Sequence, residues 1–231
     1  MADKKSGEAQ VVDERDARTR VLLVDDHVVV RRGLASLIAE EPDMEVSGEA
    51  DGVATALESI KRQRPRLAVI DISLKDGDGL ELVRQISEQY PDVLPLVLSM
   101  YDEAVYAERA LRAGARGYVR KAAAAETLME AIRTVLAGDI HVSPSVAAGL
   151  LQKISAGKRH EPAMPVEKLS DRELQVLRCI GRGLSNREIA DELFISVKTV
   201  ESHREHMKQK LALPSSGDLL RYAIEFTKTA M

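Results

Sequence analysis

The 231-residue sequence has no tryptophan, one cysteine and only 3% aromatic residues. So few rings argue against the stacking platforms that hold single-stranded nucleic acid. The lone cysteine, Cys179, excludes an intrachain disulfide and a cysteine-rich zinc site. It lies in a helical pattern, where a small buried core residue is expected. No apolar run approaches the roughly 20 residues of a membrane span. The N-terminal stretch Met1-Ala2-Asp3-Lys4-Lys5-Ser6-Gly7 lacks the apolar core of a signal peptide. A protein of the reducing cytoplasm, with no membrane partner, is the expectation.

What is present is the composition of a soluble globular chain, 45% hydrophobic and 30% charged. Its length allows one large domain or two small ones. The net charge of −4 is unevenly spread: from Lys158 onward there are 13 Lys/Arg against 11 Asp/Glu, and before it 20 against 26. An acidic front and a mildly basic back suggest two jobs. The basic margin is too small to argue for nucleic acid by itself.

Residues 1–19 are polar and aperiodic and predict a disordered tail. From Arg20 to 137, strand-like runs near 20–25, 44–48, 67–72, 93–99 and 117–120 alternate with helical patterns over 28–39, 53–63, 79–89, 103–113 and 124–136. Five such pairs call for a doubly wound parallel (βα)5 sheet of the flavodoxin-like kind. Residues 138–166 predict a linker, with a helix over 144–155 and a proline-bearing stretch at 157–165. From 167 to 231 the capping signal repeats. Ser170 with Glu173 and Ser185 with Glu188 have capping-box spacing, and Ser196 with Thr199 varies it. A fourth helix is expected over Ser216–Phe226. This predicts a compact four-helix domain whose second and third helices are joined by a short turn.

The apolar runs end on polar groups. Val21-Leu22-Leu23-Val24 runs into Asp25-Asp26, Leu67-Ala68-Val69-Ile70 into Asp71, Leu94 to Leu98 into Ser99, and Tyr118-Val119 into Arg120-Lys121. In a parallel sheet these groups gather at the carboxyl edge, where open α/β sheets bind ligands. Two carboxylates about 4 Å apart repel by about 4 kcal/mol at an effective dielectric near 20. Asp25, Asp26 and Asp71 therefore call for a cation, and oxygen ligands of this kind suit Mg²⁺. With Lys121 and the Ser99 hydroxyl beside them, they form a phosphoryl-transfer site with an aspartate as nucleophile. His27, in the first turn after Asp26, is expected to serve surface or packing needs.

In this order and at these strand ends, Asp25-Asp26, Asp71, Ser99, Tyr118 and Lys121 resemble the receiver domain of bacterial two-component response regulators. The resemblance covers about residues 20–137. It implies that a histidine kinase phosphorylates Asp71, and that Asp25, Asp26, Asp71 and the Ser73 main-chain carbonyl hold Mg²⁺ or Mn²⁺. It further implies that Ser99 and Lys121 hold the phosphoryl group and that Tyr118 is the aromatic switch. Lys75 departs from the proline of many receivers. On the residues alone an aspartyl phosphatase of the haloacid-dehalogenase-like kind stays open. Such enzymes usually carry a second Asp two residues after the nucleophile, where this chain has Ser73.

The second and third helices of the C-terminal segment have the helix-turn-helix arrangement, with Ser196–Leu211 as the reading helix. Val200, Met207 and Leu211, completed by His203 or Arg204, form its core stripe; Lys198, Glu201, Ser202, Glu205, Lys208 and Gln209 face outward. Phosphate contacts are expected from Ser196, Lys198, Thr199, Arg204, Lys208 and Lys210. Base-edge contacts are expected from Glu201, Ser202 and Glu205. By pattern alone, a protein-binding module fits as well as a DNA-binding one. The segments around Ser170, around Gly183 to Ala190 and from Ser196 to His203 closely resemble the LuxR-type DNA-binding domain. The whole chain thus resembles a NarL/FixJ-type response regulator. The resemblance implies a transcription regulator, not a turnover enzyme, that dimerises on double-stranded DNA when phosphorylated and has RNA polymerase as a further partner.

Overall fold

The computed structural model describes residues 18–123, 125–155 and 165–229. Residues 1–17 of the tail expected over 1–19, and most of the proline-bearing stretch, lie outside them. Five parallel strands form the sheet: β1 (Thr19–Val24), β2 (Met44–Ala50), β3 (Leu67–Ile70), β6 (Leu94–Ser99) and β7 (Gly117–Arg120), in the order β2-β1-β3-β6-β7. A two-residue ladder, β4 (Ser73–Leu74) with β5 (Gly77–Asp78), interrupts the chain after β3. The helices of this layer are α1 (Val28–Ala39), α2 (Val53–Gln63), α3 (Gly79–Gln89), α4 (Glu103–Ala113) and α5 (Ala125–Leu136). Thr19 belongs to the first strand and not to the tail, because it pairs with Met44 and its N–H reaches the Asp43 carbonyl at 2.8 Å.

The strands alternate in side-chain direction, so one sequence supplies two cores. Val21, Leu23, Leu67, Val69, Leu96 and Val119 meet Leu34 and Ile38 of α1 and Leu128, Ile132 and Val135 of α5. Leu22, Val24, Ala68, Ile70 and Val97 meet Ala56 and Ile60 of α2, Leu80, Val83 and Ile86 of α3, and Val105 and Tyr106 of α4. With both faces covered, β3 is buried throughout, as parallel strands require. The order turns back beside β1 and β3, which puts the ends of those strands at the crevice of the sheet.

Helix α6 (Pro144–Ser155) follows and packs on α4, tied by Lys153 to Glu108 at 2.7 Å. After the short 3₁₀ turn Pro165–Lys168 come α7 (Asp171–Gly181), α8 (Asn186–Glu192), α9 (Val197–Lys210) and α10 (Ser216–Thr229). Each of the first three starts on the predicted serine. The Oγ atoms of Ser170, Ser185 and Ser196 accept from the N–H groups of Glu173 (3.3 Å), Glu188 (3.3 Å) and Thr199 (3.0 Å). The first two complete the box with the glutamate returning to the serine N–H.

Asp78 caps α3 by accepting from the Leu80 N–H at 2.8 Å. Burial pushes its carboxyl up to about 6; the Leu80 N–H works against this, and Asp171 adds to it. The folded chain thus holds a proton here that the unfolded chain releases near pH 4. The stability from this group is complete below that pH and falls as pH rises through 6. Asp78→Asn keeps a capping acceptor and removes the charge. It is expected to stabilise the protein by about 1–2 kcal/mol at pH 7.5, with the gain vanishing at pH 4 in paired urea titrations.

Candidate functional site

Four strand ends converge. Asp71 follows β3, its N–H held by the Val24 carbonyl at 2.8 Å, and Lys121 follows β7, its N–H held by the Ser99 carbonyl at 2.8 Å. Backbone pairing thus aims both side chains into one crevice. There Lys121 Nζ lies 2.5 Å from Asp25 Oδ2 and 2.8 Å from Asp71 Oδ2. All three are buried: the side chains of Lys121, Asp25 and Asp71 are 7%, 3% and 4% exposed. Burial raises the Asp71 carboxyl, Lys121 works to lower it, and Asp25 raises it further. Burial works to lower the Lys121 ammonium, but Asp71 and Asp25 together outweigh it and hold that group above its ordinary value.

Asp25, Asp26, His27 and Asp71 each offer a ligand atom within 4.8 Å of the others. Asp26 Oδ1 is buried and makes no hydrogen bond. The His27 Nδ1 lies 2.6 Å away, but it hydrogen-bonds Asp25 instead, at 3.2 Å. His27 is mostly exposed, as a surface residue at the rim of the site, with its Nδ1 hydrogen-bonded to Asp25 and close to Asp26. One ammonium against three carboxylates, with an orphaned oxygen among them, fits a divalent cation with oxygen ligands.

Ser99 is fully buried, and its Oγ accepts from the Tyr101 N–H at 3.3 Å. Tyr118 is turned inward at 1% exposure and donates to the Tyr101 carbonyl at 2.9 Å; burial raises its phenol. The Ser73 hydroxyl meets the Tyr101 hydroxyl, and the Ser73 N–H supports the Asp71 carboxylate. Lys75 reaches the exposed Asp51 at the end of β2. Tyr101 is a residue of this edge that the sequence pattern does not single out. Its signal was an aromatic ring two residues beyond a strand-end serine, in a chain almost without rings.

In the helical domain Val200 and Met207 of α9 are fully buried and Leu211 is 9% exposed. His203 and Arg204 are both half-buried and complete the stripe together. Lys198, Glu201, Ser202, Glu205 and Gln209 are exposed. Lys208, expected outward, is half-buried and turned along the helix to Glu205 at 2.9 Å. The Ser196 and Thr199 hydroxyls lie 2.7 Å apart within the cap, and Lys210 reaches Glu173 at 2.7 Å. The structure thus brings Lys198, Glu201, Ser202 and Glu205 onto one open face, while Thr199, Lys208 and Lys210 are partly engaged within the protein.

Residues 21–133 match the response regulator receiver domain family, and residues 167–223 match the bacterial regulatory proteins of the luxR family. The oxygen regulatory protein NreC of Staphylococcus carnosus (strain TM300) is 37% identical over 210 residues, 89% of this chain and 97% of that protein. The chain is a NarL/FixJ-type response regulator. Such a regulator is a phosphorylation-controlled, DNA-binding transcription factor and not a turnover enzyme. RcsB from Salmonella enterica serovar Typhimurium, bound to promoter rprA in the presence of phosphomimetic BeF₃⁻, superposes with a TM-score of 0.64 at 27% identity, over 90% of this chain and 98% of its own. A structure of two RcsB dimers bound to two parallel DNAs gives 0.55 at 27% identity, over 89% and 97%. A LuxR-family two-component regulator from Aurantimonas sp. SI85-9A1 matches 60% of this chain and 99% of its own, at 32% identity and a TM-score of 0.55.

One buried carboxylate underpins the helical domain of this regulator. The Glu173 side chain is 3% exposed, accepts from the Ser170 N–H at 2.7 Å and binds Lys210 at 2.7 Å, which joins the start of α7 to the end of α9. Its carboxyl is lowered: burial works to raise it, and Lys210 and Ser170 outweigh burial. Glu173→Ala is expected to cost about 1–3 kcal/mol, read as an earlier urea midpoint for the helical signal. Lys210 is 41% exposed and returns to water, which keeps the cost below that of an orphaned buried charge.

Proposed function

We propose that Asp71 is the phosphoryl acceptor, charged by a histidine kinase, and that the charged form pairs on double-stranded DNA to control transcription. The observation that carries this reading is Lys121 clamped between the buried carboxylates of Asp25 and Asp71 at the sheet edge. An Asp71 carboxylate oxygen attacks the phosphorus of a phosphohistidine. The new P–O bond forms as the P–N bond breaks, and the imidazole leaves with the electron pair. Asp25, Asp26, Asp71 and the Ser73 carbonyl hold Mg²⁺ or Mn²⁺, which neutralises the phosphoryl oxygens when bound. Lys121 supplies a fixed positive charge to those oxygens, and Ser99 turns its hydroxyl toward them. That turn loosens its grip on the Tyr101 N–H, which Tyr118 also braces through the Tyr101 carbonyl. Slow hydrolysis of the acyl phosphate resets the switch.

Helix α9 enters the major groove. Lys198, Arg204, Lys208 and Lys210, with the Ser196 and Thr199 hydroxyls, serve phosphates, while Glu201, Ser202 and Glu205 face base edges. A homodimer places two such helices on two half-sites, as the DNA-bound dimers of RcsB support. RNA polymerase is the partner through which binding acts on transcription, and the cytoplasm is the compartment; among the described residues no helix is long and apolar enough to cross a membrane. The test compares operator affinity with and without beryllofluoride and Mg²⁺. A gain of about 5-fold or more is expected, the lower end of ordinary allosteric coupling. Equal affinities would remove phosphate control and leave DNA binding standing.

A further inference from the structure

Two of the clustered carboxylates stand on the turn between β1 and α1, and they are held very differently. Asp25 is engaged through its whole length. Its N–H reaches the Ala50 carbonyl at 3.1 Å, its Oδ1 accepts from the His27 N–H at 2.8 Å, and its Oδ2 lies 2.5 Å from Lys121. Its carbonyl accepts from Nη1 of Arg31 on α1. Asp26 is held less, since its Oδ1 is buried and makes no hydrogen bond. What orients Asp26 is the peptide unit that joins it to Asp25, and a peptide unit is a rigid plane. The oxygen of that plane is the one Arg31 holds.

The Arg31 side chain is 12% exposed, and its Nε donates to Glu49 Oε2, on β2, at 3.0 Å. Nε and Nη1 belong to one planar guanidinium, so two bonds in two directions fix the plane itself. The side chain thus braces the turn after β1 against β2. His27, at the N-cap of α1, makes no side-chain cap bond that could do the same for the helix start. Charge alone argues against an arginine in this place. A guanidinium repels a divalent cation nearby, so a role in charge balance predicts that removing Arg31 tightens metal binding. A role in geometry predicts the reverse, because groups that orient metal ligands typically carry about 10- to 100-fold in affinity. The two roles differ in sign. The bonds favour geometry: Arg31 directs its donors to the Asp25 carbonyl and to Glu49, and leaves Asp26 Oδ1 open to a ligand.

We propose that Arg31 is a positioning residue for the cation site: by holding the Asp25 carbonyl it fixes the peptide between Asp25 and Asp26, so that the Asp26 carboxylate faces the ion without reorganisation. This role rests on Asp25, Asp26 and Asp71 holding that ion. It places Arg31 behind the ligands and not among them, so its loss acts on metal affinity and leaves the reaction of the loaded site intact.

The experiment titrates the full chain with Mn²⁺ and counts the free ion by its electron paramagnetic resonance signal. Arg31→Ala is expected to raise the Mn²⁺ Kd by about 10- to 100-fold. Arg31→Lys keeps the charge but reaches only one of the two partners, and is expected to fall between. Arg32→Ala removes the same charge from the next residue, which is exposed, and is expected to bind Mn²⁺ no more weakly than wild type. Acetyl phosphate then serves as donor: an Asp71 oxygen attacks phosphorus, and acetate leaves with the electrons of the broken P–O bond. In Arg31→Ala the Mg²⁺ concentration at half-maximal rate is expected to rise with the Mn²⁺ Kd, while the rate at saturating Mg²⁺ holds. Unchanged or tighter Mn²⁺ binding by Arg31→Ala overturns the positioning role, and so does an equal weakening in Arg32→Ala or a lower saturated rate at an unchanged Mg²⁺ requirement. Should Arg31→Ala fail to fold, Arg31→Lys carries the test, and wild-type affinity there overturns the role. Mn²⁺ binding untouched by Asp26→Asn, in contrast, overturns the cation site itself and the positioning role with it.

Discussion

Asp71→Asn is expected to take up no phosphate from a phosphorylated histidine kinase, and its operator affinity is expected to be the same with and without beryllofluoride. The amide keeps the size and the neighbours of the carboxylate but has no anionic oxygen to attack phosphorus. The loss of labelling is therefore complete, not partial. Phosphorylation of wild type adds roughly −1.5 to −2 charges where Lys121 is the single ammonium facing Asp25 and Asp71. On the proposed switch that charge recruits the Ser99 hydroxyl, now engaged with the Tyr101 N–H, and disturbs the segment that Tyr118 and Arg178 hold. The amide variant delivers none of it. The basal fold is expected to persist, because Lys121 retains Asp25 at 2.5 Å and one buried carboxylate is removed from a pair that repels. A melting profile near wild type, beside absent labelling, checks both halves at once. Labelling at wild-type rate would place the acceptor elsewhere in the acidic cluster.

Most of this architecture is legible in the sequence because its signals are local. The run Leu67 to Ile70 is apolar throughout because both faces of a central parallel strand are covered. Ser170 and Ser185 announce helix starts because their glutamates three residues on return to the serine N–H. The convergence of Asp25, Asp71, Ser99 and Lys121 follows from strand ends alone once the sheet is parallel. What is not legible depends on contacts between distant segments. Tyr101 and Arg178 stand 77 positions apart in different domains, and no periodicity links them. Lys208 carries a charge on an outward helical position, yet it folds back along α9 to Glu205. The β4–β5 ladder is two residues per strand, too short for any alternation to show.

Lys121→Ala is expected to slow phosphorylation of Asp71 by about 10²- to 10³-fold, the usual cost of deleting one preorganised group that stabilises transition-state charge. It is also expected to lower stability in metal-free buffer. The ammonium is 7% exposed and faces two carboxylates at 3% and 4% exposure. Breaking a buried pair by removing one partner costs about 3–5 kcal/mol, because the charges left behind have neither water nor a counter-ion. Here two anions are orphaned together, so the upper part of that range is the expectation. A divalent cation fills the same electrostatic need, through Asp25, Asp26 and Asp71. The variant is therefore expected to regain a larger share of its stability on adding Mg²⁺ than wild type gains, while the phosphorylation rate stays low. The cation would restore charge balance among the carboxylates but would not replace the ammonium proposed to reach the phosphoryl oxygens. Urea midpoints with and without Mg²⁺, measured beside phosphorylation rates at saturating Mg²⁺, separate the two effects. Equal Mg²⁺ stabilisation of wild type and variant would show that Lys121 does not balance the acidic cluster. Full recovery of the rate by Mg²⁺ would show that its charge acts on the carboxylates alone.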